Sequence, residues 1–575
     1  MKFHDLAVYF DKIEQTASRV EMTKLLAELF STVSADEIDK VLYLLQGRVV
    51  PLYEKADFGL AEKLLIKAFV TGLQIDEKVF MNAYKNSGDL GKTIESLRSS
   101  VSTIGESDLN IVQVYDKLYS ITQASGTGSQ EVKLSIITDL IQSLDALSSR
   151  FIARIPTNTL RLGFSDMTIL DAFSWMATGD KSLRPAIEKV YQVNPDLGFI
   201  GKVMKEKGVK GLSTVGPTLF TPILMMKAER LSSPESILEK VPAGIIEPKY
   251  DGFRLQIHHN KKDTRLYSRG LDDVTHMYPD VVLGIQKEIK AQEVILEGEA
   301  IGFDIQTGGF LPFQETVQRK RKYDIASKAL EIPLRLFAFD LLYLDGTSLI
   351  DQPLTHRRKL LNQTVKLTND VAKDTILLSP ETVITTASQI EAEFDEAIAK
   401  GLEGIMVKRA DGPYQPGARG WNWIKYKRSY SSKIDDTIDC LVMGYDYGKG
   451  KRAGFGLGAI LVGIYDEKED KYKTVAKLGT GLTDDEWRLM FEQSEKLKSD
   501  TKPPLYEVTD LMKADVWVKP KIVLEIKADE LTKSPSHTAG YALRFPRLER
   551  IRDDKRPEDV TTLDEVSAMV SSQKH

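Results

Sequence analysis

"GIIEPKYDGFRLQIHH", residues 244–259, reads as buried strand except at one glycine turn, and it places Lys249, Asp251 and Arg254 within six positions of one another. Charge in a buried run needs a chemical reason. A lysine amine with a pKa near 10.4 is neutral in only about one molecule in 2,500 at pH 7, so a nucleophilic lysine needs desolvation or cationic neighbours. Arg254 and a bound metal ion would supply that positive field. Asp251 acts in the opposite sense and is expected to orient the ammonium or accept its proton. A bare Lys-x-Asp-Gly also suits a surface ion pair beside a turn, so the surroundings decide.

Downstream, short β-type runs continue: "TRLYSR", "EVILEGEAIGFD", "LRLFAFDLLYLDG", "GIMVKRA" and "WNWIKYK". They predict a mixed α/β domain over 216–430. Upstream, residues 208–222 are rich in Gly, Pro, Ser and Thr and read as a linker. Before the linker, apolar residues recur at three- and four-residue spacing, which predicts an all-helical domain over 1–215. There a Ser-x-x-Glu box from Ser34 to Glu37 is expected to cap "EIDKVLYLL", and one helical run is expected through "EVKLSIITDLIQSLDALSSRFIARI". After "KRSYSSKIDD", strands interrupted by glycine turns and a helix capped from Thr483 to Glu486 predict a small oligonucleotide-binding (OB-fold) barrel over 431–575.

The 575 residues suffice for three or four such domains. The composition, 42% hydrophobic and 28% charged, is that of globular protein, and no run approaches the roughly 20 apolar residues of a membrane helix. The first residues lack a secretory pattern, so a cytoplasmic, nucleoid-associated location is expected. A single cysteine, Cys440, excludes a multi-thiolate zinc site and leaves hard, oxygen-bound metals; Cys440 itself is expected in a core. The net charge of −5 gives no global attraction to nucleic acid, although a local basic face can still provide it.

What gives Lys249 its meaning is the series around it. "LYSRG" ends in Arg269, "LEGEAIGFD" offers Glu299, and "FAFDLLYLDG" offers Phe339. "GLEGIMVKR" holds Glu403, "GARGWNWIKYK" holds Arg419, Lys425 and Lys427, and "RFPRLERIRDDK" holds Arg552, Asp554 and Lys555. In this order the set resembles the nucleotidyltransferase motifs of ATP-dependent DNA ligases, closest to the archaeal and eukaryotic replicative type. Lys249-Tyr-Asp251-Gly252-Phe-Arg254 matches the family's Lys-x-Asp-Gly-x-Arg, and Arg552-Asp-Asp554-Lys555 its C-terminal Arg-x-Asp-Lys. "LRLGFSDMTILDAF" is similar to the family's N-terminal DNA-binding domain.

The resemblance implies that Lys249 becomes linked to AMP from ATP, and that the enzyme then seals nicks in duplex DNA through a DNA-adenylate, in replication, repair and recombination. Phe339 would stack on adenine with Glu247 at the base edge, and Glu299 would bind the ribose. Arg254, Arg269 and Arg419 would surround sugar and phosphates. Lys425 and Lys427, alternating on one strand, share a face suited to the α-phosphate. Glu403, with Glu299, would hold Mg²⁺ through oxygen. Arg552 and Lys555 would orient the leaving pyrophosphate. Arg154 and Arg161 are expected to contact DNA phosphates, and Arg319 to Lys322 to form a basic surface turn near DNA. A monomer on nicked double-stranded DNA is expected, with a sliding clamp as a further candidate partner.

Three positions depart from the pattern: Glu297 stands where Asp is commoner, Leu548 where an aromatic is usual, and Pro248 resembles the Glu-Pro-Lys of NAD-dependent ligases. Those enzymes carry a four-cysteine zinc module that this chain cannot build, so ATP is the expected nucleotide. An RNA ligase or GTP-dependent capping-type nucleotidyltransferase is the rival enzyme, opposed by the long helical domain. A DNA-binding scaffold on an inactive nucleotidyltransferase is the rival non-enzyme, opposed by the retained charged motifs.

Overall fold

Leu, Ile and Phe at helical spacing bury one stripe of each N-terminal helix, and residues 3–212 accordingly fold as helices around a shared apolar core that includes Phe10, Leu26, Phe69, Ile137, Phe151 and Phe173. The structure, a computed structural model, describes residues 1–101, 109–157, 159–160, 162–306, 308–311, 313–321, 323–368, 370–400, 402–427, 437–448, 456–479 and 482–572. Two compact units divide the chain: Met1–Arg230 with Pro234–Lys425, and Tyr426–His575 with Leu231–Ser233. Among the described residues, no helix is long and apolar enough to cross a membrane.

Several expectations for the helical region are corrected. Ser34 and Glu37 do not form a capping box: the helix starts at Ile38, the Ser34 hydroxyl donates to Glu37, and Glu37 pairs with the N-terminal ammonium at 2.6 Å. The run 131–155 is two helices, Ser129–Ser143 and Ala146–Arg154, because the Asp145 carboxylate caps the second by accepting from Ser148 N–H. Helix Leu197–Leu212 reaches into the expected linker, with a kink at Gly208 (φ 61°).

Arg154 is no DNA contact. Its side chain is only 3% exposed, and it bridges Glu14 at 2.8 Å and Asp89 at 2.6 Å. Arg150 beside it pairs with Asp11 and Glu14. These arginines tie the helix Ala146–Arg154 to the helix Phe3–Gln15 and to the loop at Asp89. Arg161 lies outside the described residues.

The rest of the first unit holds two sheets. Strands β1 (Lys227–Arg230), β2 (Gly244–Lys249), β9 (Thr382–Ile384), β10 (Gly404–Arg409) and β11 (Arg419–Lys427) form one, in the order β1-β11-β10-β2-β9. Strands β3 (Phe253–Asn260), β4 (Thr264–Ser268), β5 (Glu293–Gly302), β6 (Leu334–Leu344) and β7 (Thr347–Ser348) form the other, in the order β4-β3-β5-β6-β7, with β8 (Ile376–Leu378) beside β6. The quoted stretch thus crosses from one sheet to the other at Tyr250–Gly252. Glycine is needed at 252 because a Cβ there would lie 2.4 Å from the Ala300 carbonyl of β5.

Residues 220–226 are laced onto the second sheet. Gln256 grips Ile223 by both its N–H (2.7 Å) and its carbonyl (3.0 Å), and Tyr267 donates to the Phe220 carbonyl. Burial lowers the His258 pKa to about 3, so the ring is neutral and Nδ1 accepts from Phe220 N–H at 3.0 Å. Arg319 is not on a surface turn: it is buried and forks onto both oxygens of Asp280 at 2.7 and 2.9 Å. Lys322 lies outside the described residues.

In the second unit, β12 (Ile438–Tyr447), β13 (Leu457–Asp466) and β14 (Lys471–Leu478) form an antiparallel meander. The long β12 then pairs with β17 (Val516–Val518) along one half and with β18 (Val523–Lys527) along the other, which curls the sheet. Short strands β15 (Lys498–Ser499) and β16 (Tyr506–Glu507) pair with β17 and β14, β19 (Glu530–Lys533) and β20 (Tyr541–Arg544) make a hairpin, and β21 (Arg547–Ile551) extends β18. This is the strand-rich barrel expected of an oligonucleotide-binding domain. The Thr483–Glu486 capping box is present on helix Asp484–Lys496, and Cys440 is fully buried in the barrel core.

Removing one partner of a buried charge network strands the others, so Arg154→Ala should lower unfolding stability by about 3–5 kcal/mol in urea melts. The salt dependence of DNA binding by the folded variant should be unchanged, as for a residue that touches no phosphate.

Candidate active site

β2 ends at Lys249, and residues 245, 247 and 249 share one of its faces. Antiparallel pairing sets Met406 of β10 opposite Glu247 and Gly404 opposite Lys249. Phe339 of β6 faces this sheet: its ring meets Trp423 edge-on at 5.9 Å and carries Lys408 Nζ over it at 4.5 Å. A site between the two sheets results, with Lys249 at one end and an apolar corner of Phe339, Met406 and Trp423 at the other.

The Lys249 ammonium pairs with the Glu403 carboxylate, and the Glu403 N–H donates to the Lys249 carbonyl at 3.2 Å. Asp251 is exposed, so the expected Lys249–Asp251 partnership gives way to Lys249–Glu403. Burial pushes the Lys249 pKa down; Glu299 and Asp251 oppose this, while Arg269 and Arg254 add to it. Burial likewise raises the Glu299 pKa to about 7, against the pull of Lys249, Arg254 and the Gly252 N–H. Lys425 is lowered by burial and by the cations Lys249, Arg419, Arg269 and Arg230. β1 pairing brings Arg230 beside Lys425 and Lys227 beside Arg419. The fold therefore gathers Lys249, Arg254, Arg269, Glu299, Glu403, Arg419 and Lys425 into one electrostatic neighbourhood whose excess is positive.

Glu247 is buried and accepts from Lys408 Nζ at 2.7 Å, leaving its Oε1 without a hydrogen-bond partner. Arg254 donates through Nη1 to the Met226 carbonyl (2.7 Å) and through Nη2 to Glu297 (2.8 Å), while its Nε is buried and unpartnered. Lys427 closes β11 and is half-buried. Arg552 and Lys555 belong to the second unit, where they pair with Asp439, Asp554 and Glu525.

Some residues escaped the motif reading. Glu297, with no solvent contact, accepts from Arg254, from Gln256 (3.0 Å) and from the Tyr414 hydroxyl (3.0 Å). Lys408 fills the space between Phe339 and Trp423. Arg357 forks onto Asp340, next to Phe339, at 2.7 and 2.9 Å, both side chains being fully buried. The signal for Lys408 was its alternation with Met406 along β10. For Glu297 it was the motif position noted only as a departure.

Among the described residues no group of three metal-ligating side chains occurs. The hard oxygens of Glu403 and Glu299 nevertheless fit Mg²⁺, which binds through one or two carboxylates together with substrate phosphates and water.

Comparison with known proteins agrees with this geometry. Family models described as "DNA ligase N terminus", "ATP dependent DNA ligase domain" and "ATP dependent DNA ligase C terminal region" match residues 2–174, 225–427 and 453–555. The probable DNA ligase of Dictyoglomus turgidum is 44% identical over 582 residues, covering 100% of this chain and 98% of the relative. The DNA ligase of Saccharolobus solfataricus is 39% identical over 595 residues, with 100% and 98% covered. A solved structure named Pmar-Lig_PreS3 shares the fold, with TM-score 0.57, 17% identity, and 95% of this chain and 99% of that chain covered. The chain belongs to the ATP-dependent DNA ligase family. It is a DNA ligase that uses ATP, with Mg²⁺ as the family's general requirement, and it binds nicked DNA. The RNA-ligase, capping and scaffold readings are not favoured.

The raised Glu299 pKa makes a pH prediction. A carboxyl with a folded pKa near 7 and an unfolded value near 4.5 holds its proton in the folded state between those values, so stability falls as pH rises through that window. Glu299→Gln, which cannot ionise, should flatten this fall, by about 2 kcal/mol between pH 5 and 8 in parallel urea melts.

Proposed function

We propose that Lys249 is the nucleophile and that the residues around it hold ATP. The observation that carries this reading is a part-buried lysine of lowered pKa, lying between a carboxylate and a cluster of cations beside an apolar platform. The ammonium gives up its proton, for which Glu403 is the adjacent carboxylate. The freed lone pair then forms an N–P bond to the α-phosphate, and the P–O bond to pyrophosphate breaks with its electrons leaving on pyrophosphate. Lys425, Lys427, Arg269 and Arg419 neutralise charge spread over the phosphate oxygens. Mg²⁺, held by Glu403 and Glu299, would add to that neutralisation when bound.

Phe339 and Met406 offer the apolar faces for adenine, and Glu247 Oε1, buried without a hydrogen bond and 3.9 Å from Arg358 Nη1, suits an exocyclic amine. Glu299 accepts from the ribose, and the Arg254 Nε–H is the donor left for the nucleotide once Glu297 and Met226 have taken its other nitrogens. Arg552 and Lys555 orient the pyrophosphate. AMP then passes from Lys249 to the 5′-phosphate of the nick, and the 3′-hydroxyl displaces it.

Residues 1–215 grip the duplex, 216–430 carry adenylation, and 431–575 form the barrel; the three matched family regions support this division. The reading is completed by a monomer working on nicked DNA in the cytoplasm, at the nucleoid, with a sliding clamp as its tether. These last points rest on the resemblance.

Lys249→Arg keeps the charge but has no usable lone pair, so incubation with α-³²P-ATP should leave the protein unlabelled; a labelled variant would remove the nucleophile assignment.

Arg552→Ala and Lys555→Ala should lose self-adenylylation yet still seal nicks that already carry 5′-AMP, since no pyrophosphate takes part in that step. Equal loss of both reactions would move these residues to a structural role.

A further inference from the structure

Charge is densely paired in the barrel where β12 and β18 run side by side. Asp439 and Glu525 face each other in register across these strands. Lys555 Nζ reaches Asp439 Oδ2 at 2.6 Å, and Arg552 Nη1 reaches Asp439 Oδ1 at 3.3 Å. One carboxylate thus gives each oxygen to a different cation of the C-terminal motif. The other carboxylates nearby are differently placed. Glu525 takes Thr437, Arg550 and, at 3.4 Å, Arg552 Nη1, and Asp554, on the same loop as Arg552, is mostly exposed and forks onto Arg552.

Asp439 is itself fixed. Its side chain is 11% exposed, its N–H donates to Thr561 Oγ1 at 3.0 Å, and its carbonyl accepts from Thr561 N–H at 3.0 Å. Lysine carries a point charge on a flexible stem and holds a position only through its partners. A rigid carboxylate shared by Lys555 and Arg552 therefore links the two cations.

We propose that Asp439 is a positioning residue for self-adenylylation, presenting Arg552 and Lys555 together to the pyrophosphate of ATP. This rests on the reading that those two residues handle pyrophosphate. It adds a residue outside the recognised motif, which acts through the motif's cations and touches no substrate.

Asp439→Asn, which keeps an acceptor, and Asp439→Ala would be made in the full chain with three readouts. These are charging of Lys249 at limiting and saturating ATP, discharge of the adenylylated enzyme by added inorganic pyrophosphate, and sealing of a nick already bearing 5′-AMP. Charging at limiting ATP and pyrophosphate discharge should each fall by roughly 10- to 100-fold, the scale set by misplacing a group about 1 Å from its productive position, with Ala worse than Asn. Sealing should keep its rate. In a Lys555→Ala background, Asp439→Ala should add little further loss, because both act through one contact. Unchanged pyrophosphate discharge, additive losses, or equal loss of all three activities would overturn the proposal. If Lys555→Ala and Arg552→Ala themselves charge normally, the failure lies instead in the pyrophosphate reading.

Discussion

Glu297 is a carboxylate with no solvent contact, and the candidate site is organised around it. A buried carboxylate is costly unless donors satisfy it, and here Gln256 bonds one oxygen while Arg254 and Tyr414 bond the other. Each donor in turn fixes something else: Gln256 holds Ile223, Tyr414 accepts from Met226 N–H at 2.9 Å, and Arg254 holds the Met226 carbonyl. The segment entering the catalytic sheets is therefore pinned by the same group that sets the Arg254 guanidinium over Phe339 and Trp423. The geometry of the aromatic corner and that of the chain's entry are one constraint.

A second buried carboxylate extends the scheme. Glu247 carries Lys408 between two aromatic rings, where burial lowers the lysine's pKa and Glu247 raises it. Lys408 and Arg254 both lie over Phe339 and Trp423, so two paired cations set the aromatic walls. Each cation keeps its own buried carboxylate, Glu297 for Arg254 and Glu247 for Lys408. Ionic pairs of this kind fix geometry more than they stabilise the fold.

How much of this could be read in advance follows from what a sequence position encodes. Lys249, Glu299, Phe339, Arg419 and Lys425 could be singled out because they stand on strands whose alternation fixes their face, and Glu403, just before β10, because of its place in the motif order. Their roles could be guessed, but their pairings could not: Lys249 meets Glu403, more than 150 positions away in the chain, in place of the neighbouring Asp251. Arginines were the weak point. Arg154 and Arg319 look like surface charge in sequence, and both are buried forks onto carboxylates supplied by distant segments. Exposure of a long side chain depends on what the fold brings beside it. The Ser34–Glu37 box failed for a similar reason, since the N-terminal ammonium claims Glu37.

The same logic bears on how ATP enters. Lys249 is paired with Glu403, and in the second unit Arg552 and Lys555 are paired with Asp439, Glu525 and Asp554, so these three of the cations proposed to meet phosphate carry carboxylate partners. On the proposed reading, the phosphates of ATP compete with Glu403 for Lys249 while meeting the surplus positive charge of Arg269, Arg419 and Lys425. The Glu403 carboxylate thus holds the Lys249 ammonium, and the proposed attack requires that pair to open first.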